Sequence, residues 1–317
     1  MDKGKKKILR VFTTTSFEGV TSIAILEELL KNTDEIQLDV RYVKNLDFRD
    51  YADFADADIV LALGTPYRGY NLPTEFFLNL DVPFMDFLHF STWGEELGGE
   101  HITSQVNENE DPIKQLAMFI SRFPESSLLA KYIEFTEKAW YLIEAVNAYR
   151  TWSWENNSIT RMLLALYHAS YKWLPLLMRG LSIEETIRKH APIIQGQMEK
   201  MKDYIDRKKE TVKSFNVEVD GQQCKLFVAY ADEYINELAN DILTTEQTAM
   251  PTIVCVGRST KSSDLFSIRT TKVEAGKVAW LINEGSGKDS VANVFTGVSY
   301  AQLMGTGIAQ KLAQLEA

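Results

Sequence analysis

The chain has 317 residues, of which 45% are hydrophobic and 25% charged, as expected for a folded protein with room for two domains. Its net charge of −10 argues against a surface that attracts nucleic acid everywhere, although a local basic pocket needs only a few donors. No apolar run is long enough to span a membrane and no secretory signal is evident, so we expect a cytoplasmic protein outside the membrane. Cys224 and Cys255 fall in apolar segments, and we expect both to be reduced core residues.

The first 90 residues alternate strand and helix patterns. Apolar runs at 8–14, 36–43, 58–64 and 82–90 predict strands, and the periodicity of 20–30 predicts a helix. Short connections between such elements predict an α/β fold with a parallel sheet and helices on its faces. Ligands of these folds collect at the carboxyl ends of the strands, which are expected at 13–16, 64–68 and 87–92.

From about residue 111 the pattern is helical. One buried helical face is predicted from Leu129 to Val146, and a second apolar helix from 156 to 178. A charged connecting helix follows the capping box formed by Ser182 and Glu185. Beyond it, a hairpin, further strands and helices predict a smaller α/β domain. The predicted division is 1–180 for the parallel-sheet domain with its helical extension, 181–214 for the linker helix and 215–317 for the C-terminal domain.

Four N-terminal segments and one C-terminal segment carry a resemblance to a known family. The first segment, VFTTTSFEGVTSIAILEELL, is similar to a motif in which a strand runs into His-x-Asp-x-Asp-Gly and then a helix. The second, DADIVLALGTP, is similar to a strand that ends in an aspartate just before Thr-Pro. PFMDFLHFST falls where Asp-His-His is expected, and IEAVNAYRTWSW resembles a helix with a further aspartate. The segment from DLFSIRTT to GSGKDS has the layout of a Ser-x-Arg strand, a helix and a Gly-Gly-Gly-His loop. In order and spacing the chain resembles the DHH phosphoesterases, the RecJ-like exonucleases and nanoRNase-type oligoribonucleases, with their DHH-associated C-terminal domain.

The resemblance implies two divalent cations that activate water for phosphodiester cleavage. At the corresponding positions this chain carries Thr14, Ser16, Glu18, Gly64, Phe87, Leu88, His89 and Arg150. Only Glu18 and His89 offer the carboxylate or imidazole that Mn²⁺ or Mg²⁺ prefers, and Arg150 places a permanent positive charge where a cation's ligand is expected. We therefore expect no cofactor, with Mn or Mg only if some hydrolysis remains.

The same substitutions suggest a phosphate site without metal. Arg150 would replace part of the metal charge, hydroxyls of 14–16 would donate hydrogen bonds, and Arg68 would add a second cation. The resemblance also implies that the Ser-x-Arg arginine and the C-terminal loop face the ligand in an interdomain cleft. The predicted ligand-binding residues are Thr14, Thr15, Ser16, Arg68, His89, Arg150, Arg269, Ser286, Gly287 and Lys288.

Several of these residues also have a purely structural interpretation. Residues 13–15 would then simply end a strand, and His89 would be a hydrogen-bonded core residue. Arg150 would pair with an acid such as Glu155, and Trp152 and Trp154 would pack rather than stack on bases.

Three functions remain open from the sequence. The first is a catalytically degenerate homologue that binds a nucleotide or short oligonucleotide in the interdomain cleft. The second is a protein–protein interaction scaffold with a vestigial cleft, whose partner would be another protein or a second copy in a homodimer. The third is an altered phosphodiesterase or oligoribonuclease that uses Glu18, His89 and Asp86 with one metal ion or none.

Overall fold

The computed structural model describes residues 6–46, 54, 56–67, 86–92, 94–97, 102–151, 153–154, 157–246, 249–260, 263–287, 289–297, 299 and 306–313. The chain divides into two compact units, residues 1–197 and 198–317, and each contains its own sheet. Within the described residues, no helix combines the length and the apolar character needed to span a bilayer.

The first unit is built on a parallel sheet, as predicted. Its strands are β1 (Lys7–Thr13), β2 (Ile36–Tyr42), β3 (Ile59–Leu63), β4 (Asp86–Ser91) and β5 (Ile102–Val106), in the order β2-β1-β3-β4-β5. Every neighbouring pair is parallel. Because β1 pairs with β2 on one side and β3 on the other, the strand order reverses at β1, and ligands of open α/β sheets bind at such a point. The sequence patterns did not predict β5.

Among the described residues, six helices accompany this sheet. They are α1 (Phe17–Leu29), α2 (Pro112–Arg122), α3 (Glu137–Arg150), α4 (Ser158–Ser170), α5 (Leu174–Met178) and α6 (Ile183–Lys209), with 3-10 turns at Pro124–Ser126, Leu129–Lys131 and Tyr171–Trp173. Residue 197, where the first unit ends, lies inside α6, and the predicted capping box of Ser182 and Glu185 forms at its start.

Two helix boundaries differ from the sequence prediction. The helix expected from Leu129 begins only at Glu137, because the Thr136 side chain accepts the amide hydrogen of Ala139 and caps α3. The helix expected across 156–178 is interrupted at 171–173, and Pro175, which has no amide hydrogen to donate, lies in the first turn of α5.

The second unit contains a mixed sheet. Its strands are β6 (Lys213–Val219), β7 (Gln222–Tyr230), β8 (Thr252–Ser259), β9 (Asp264–Thr271), β10 (Ser286–Gly287) and β11 (Val291–Phe295), in the order β10-β11-β9-β8-β7-β6. Only the β7–β8 pair is parallel among the pairings of this sheet that the structure describes. The predicted hairpin joins β6 to β7 through Asp220 and Gly221, which both have positive φ, as a tight two-residue turn requires.

Both faces of the second sheet are covered by helices. These are α7 (Ile235–Thr245), α8 (Ala275–Asn283) and α9 (Thr306–Ala313). Cys224 and Cys255 are free and buried in the core between this sheet, α8 and α9, so their prediction as reduced core residues is confirmed. Burial raises the pKa of Cys255 to about 12.

Candidate functional site

The turn from β1 to α1 gathers hydroxyl groups at the carboxyl end of β1. The Oγ atoms of Thr14 and Ser16 lie 2.8 Å apart, and Ser16 Oγ accepts the amide hydrogen of Gly19 at 3.2 Å, which caps α1. Thr15 is exposed between them, and its carbonyl accepts a hydrogen bond from Tyr167 at 2.9 Å. Three predicted ligand residues thus lie together at a helix N-terminus, where amide groups and the helix dipole favour an anion.

Gly19 allows this turn to be compact. A Cβ atom at this position would lie 2.2 Å from the carbonyl oxygen of Thr14 and 2.7 Å from Oγ1 of Thr13. Only glycine therefore permits the first turn of α1 to approach the end of β1 so closely. The glycine is visible in the sequence, but its contact with the strand end is a tertiary feature.

Arg150 lies at the same edge of the sheet. It is the last residue of α3, and the ring of the preceding Tyr149 lies 4.9 Å from the ring of Phe17, the first residue of α1. The half-buried guanidinium donates a long hydrogen bond of 3.4 Å to the carbonyl of Glu108. The end of α3, which carries this permanent cation, therefore packs against the start of α1.

Asp111 was not among the residues predicted from the sequence. It caps α2 and is completely buried, with Oδ1 accepting from the amide of Ile113 at 3.0 Å and its own amide donating to Asn147 of α3 at 3.1 Å. Burial raises the pKa of Asp111 to about 7; the nearby carboxylate of Glu18 adds to this rise, while the Ile113 amide and the charge of Arg150 oppose it. Glu18, Asp111 and Arg150 therefore form one electrostatic cluster. An Asp-Pro pair before a helical segment signals a cap, but burial has no local signal.

Gln115 ties α2 to the end of β4. Its amide nitrogen donates to the carbonyls of Ser91 at 3.1 Å and Asn107 at 3.0 Å. Four buried oxygens near this edge, Oε1 of Gln115, Oδ2 of Asp111 and Oγ1 of Thr13 and Thr65, have no hydrogen-bond partner among the described residues. Such atoms are uncommon in folded proteins and mark places where water or a ligand is accommodated.

His89 lies within the sheet rather than at its edge. Its side chain has no exposed surface, Nδ1 lies 2.8 Å from Oγ of Ser104, and Nε2 lies 3.1 Å from the carbonyl oxygen of Thr65. Burial lowers the pKa of His89 to about 4, despite the opposing bond to Thr65, so the ring is neutral at pH 7. With both nitrogens engaged, the ring joins β4 to β5 and to the end of β3.

A two-metal centre does not fit the residues at this edge. Gly64, at φ +66°, has no side chain, and Arg150 contributes a cation. Thr14 and Ser16 offer only neutral hydroxyls, which are weak ligands for a divalent cation, and both nitrogens of His89 are engaged. Across the described residues, no three His, Cys, Asp or Glu side chains gather as a metal site requires. The groups present suit an anion better than a divalent cation.

In the second unit, the predicted Ser-x-Arg pair forms a hydrogen-bonded group. Arg269 and Ser267 are both buried on β9, and Nη1 of the arginine donates to Oγ of the serine at 3.1 Å. Nη2 of Arg269 donates to Oδ1 of Asn236, on α7, also at 3.1 Å. Ser286 and Gly287 form β10, which pairs with β11.

Some residues singled out in the sequence lie outside the described part of the chain. These are Arg68, Trp152, Glu155 and Lys288. Trp154 is described, and its buried ring lies 6.4 Å from that of Tyr149, so it packs against the end of α3.

No family model matches the sequence, and no curated protein matches it. Solved structures match the fold: an exopolyphosphatase-related protein from Bacteroides fragilis is 11% identical, with a TM-score of 0.54 over 99% of this chain and 95% of that one. The DHH domain of a member of a ribosomal-protein family is 11% identical, with a TM-score of 0.57 over 97% and 87%. RecJ from Thermus thermophilus in complex with Mn²⁺ is 12% identical, with a TM-score of 0.50 over 97% of this chain and 52% of that one. At these identities the likeness concerns the fold, and the chain has the two-domain fold of the DHH-family phosphoesterases.

Proposed function

We propose that this protein binds the phosphate group of a nucleotide or short oligonucleotide without a metal ion, as a catalytically degenerate relative of the DHH phosphoesterases. The ligand phosphate would occupy the carboxyl edge of the sheet in the first unit. The observation that carries the proposal is that the end of α3, which carries Arg150, packs against the start of α1, and that Thr14, Thr15 and Ser16 precede this capped helix.

The chemistry of these groups suits a phosphate oxygen. Hydroxyls and helix-terminal amides donate hydrogen bonds, and a guanidinium can donate two in parallel while it neutralises charge. The bond from Arg150 to the Glu108 carbonyl is long and involves a neutral acceptor, so little is lost when the guanidinium turns to an anion instead.

The second unit enters the proposal through the resemblance alone. Arg269 and the loop residues Ser286, Gly287 and Lys288 correspond to residues with which DHH phosphoesterases grip substrate. The hydrogen-bonded group of Arg269, Ser267 and Asn236 would hold that arginine in a defined orientation.

Replacement of Arg150 tests the proposal. Binding of dinucleotides and short RNA or DNA is measured by calorimetry with and without Mn²⁺, for the unmodified protein and for Arg150→Ala. Arg122→Ala is the matched control, because Arg122 is also the last residue of a helix and is exposed. We expect binding without Mn²⁺, a loss of at least several-fold in affinity for Arg150→Ala, and no change for the control.

Other outcomes would reject the proposal in distinguishable ways. Equal affinity of the unmodified protein and Arg150→Ala would rule out this phosphate site. Cleavage of a dinucleotide that depends on Mn²⁺ would favour the altered hydrolase. Failure of every nucleotide to bind, together with recovery of a defined protein partner, would favour the scaffold.

A further inference from the structure

Asp111 is a buried acid at this edge that phosphate binding does not itself require. It has no exposed surface, and its Oδ2 has no hydrogen-bond partner among the residues that the structure describes. Two contacts hold it in place: its side chain caps α2, and its amide donates to Asn147 of α3. The negative charge of Glu18, on α1, acts on it as well. A carboxyl held so rigidly cannot turn to water when it ionises.

Among the residues that the structure describes, the charges of Glu18 and Arg150 act on Asp111, with opposite signs. On its own segment Glu110 lies near the Asn107 amide, and Lys114 pairs with Glu144 of α3 at 3.1 Å. In β4, His89 is neutral. The negative form of Asp111 is therefore favoured by the Ile113 amide and by the positive charge of Arg150.

We propose that Asp111 takes up a proton when a phosphate group binds beside Arg150, so that ligand binding and proton binding at this edge are coupled. The inference rests on the proposed phosphate site. An anion that engages the guanidinium offsets the positive charge that supports ionised Asp111, and it adds a negative charge of its own. Both effects favour the neutral acid, and neither requires the ligand to touch the buried Oδ2.

The coupling predicts a direction for the pH dependence. With a pKa of about 7 in the free protein, Asp111 is already neutral below that pH, and affinity there is constant. Above it, the carboxylate must bind a proton before or during ligand binding. Affinity should then fall with rising pH, by up to about tenfold per pH unit.

The test uses a ligand whose own charge does not change. A dinucleoside monophosphate such as adenylyl-adenosine has one phosphodiester, which stays ionised over the range. Its affinity is measured by calorimetry at about pH 6, 7 and 8, each in two buffers with different ionisation enthalpies, which reports proton uptake. The unmodified protein should bind more weakly at about pH 8 and take up as much as about one proton per ligand.

Asp111→Asn should bind with the same affinity at all three values and without proton uptake. Asn keeps the helix cap, and Asp111→Ser, also a good cap, is the second variant if the first folds poorly. Glu125→Gln, an acid-to-amide change at an exposed position, should behave like the unmodified protein. Equal pH dependence in the unmodified protein and in Asp111→Asn would overturn the coupling while leaving the phosphate site intact. Failure of the unmodified protein to bind at any pH would reject the site and the coupling together.

Discussion

Asp111→Asn should make the protein more stable at neutral pH, even though it removes a helix-capping acid. The carboxyl is completely buried, so its ionised form loses solvation that the unfolded chain retains. The amide has the same shape and keeps an oxygen that accepts the Ile113 amide hydrogen. The substitution therefore removes the cost of a buried charge with little change in packing.

The pKa of Asp111 sets the size of the effect. Burial raises it from 3.8 to about 7, and each pH unit of difference between the folded and unfolded states corresponds to about 1.4 kcal/mol. Below about pH 4 the group is neutral in both states and contributes no difference. Between about pH 4 and 7 the unfolded chain ionises first, so the unmodified protein loses stability relative to the variant. Above about pH 7 the difference levels off at about 4 kcal/mol.

Urea unfolding at about pH 4, 5.5 and 8 measures this difference as a change in the free energy of unfolding. Glu125→Gln provides the control for an acid-to-amide change without burial, and its effect should stay within about 0.5 kcal/mol. A difference between Asp111→Asn and the unmodified protein that does not grow with pH would refute the reasoning. So would an unmodified protein that is the more stable of the two at about pH 8.

Four further substitutions probe the first unit. His89→Gln should reduce the acid sensitivity of the fold, because the buried ring has a pKa of about 4 whereas the unfolded chain takes up this proton near pH 6.5. As the pH falls between these values, the unmodified protein should lose about 3 kcal/mol of unfolding free energy that the variant keeps. Urea unfolding across this range measures the difference. Gly19→Ala should lower the melting temperature, by an amount equivalent to about 1–3 kcal/mol, because its Cβ would lie 2.2 Å from the Thr14 carbonyl oxygen; an unchanged melting temperature would contradict that contact. Ser16→Ala and Asn157→Ala should each cost about 1 kcal/mol of stability by removing a helix cap, but calorimetry should show weaker nucleotide binding only for Ser16→Ala.

The features that the sequence predicted well have strong local causes. The runs that became β1 and β3 are apolar because these strands are central in a sheet covered on both faces. The helix predicted over 20–30 forms as α1, and the capping box predicted for Ser182 and Glu185 forms at the start of α6. The hairpin of β6 and β7 turns at an Asp-Gly pair, which tolerates positive φ.

The errors arose where a distant residue decided the outcome. Helical spacing runs through Leu129 and Tyr132, yet the helix begins only at the cap provided by Thr136. That hydroxyl also donates to Glu28 of α1, so tertiary contact reinforces the boundary. The sequence left His89 open as a ligand or a hydrogen-bonded core residue, and its engagement by Ser104 and Thr65 is visible only when β3, β4 and β5 lie side by side.

The sequence by itself determined the α/β architecture and the order of most elements. Those features follow from the local periodicity of apolar residues and from residue chemistry, both of which the sequence shows directly. The tertiary structure alone decided that Asp111 is buried, that the charges of Glu18 and Arg150 act on it, and that the end of α3 packs against the start of α1. Burial and charge proximity depend on residues far apart in the chain, so no local pattern encodes them.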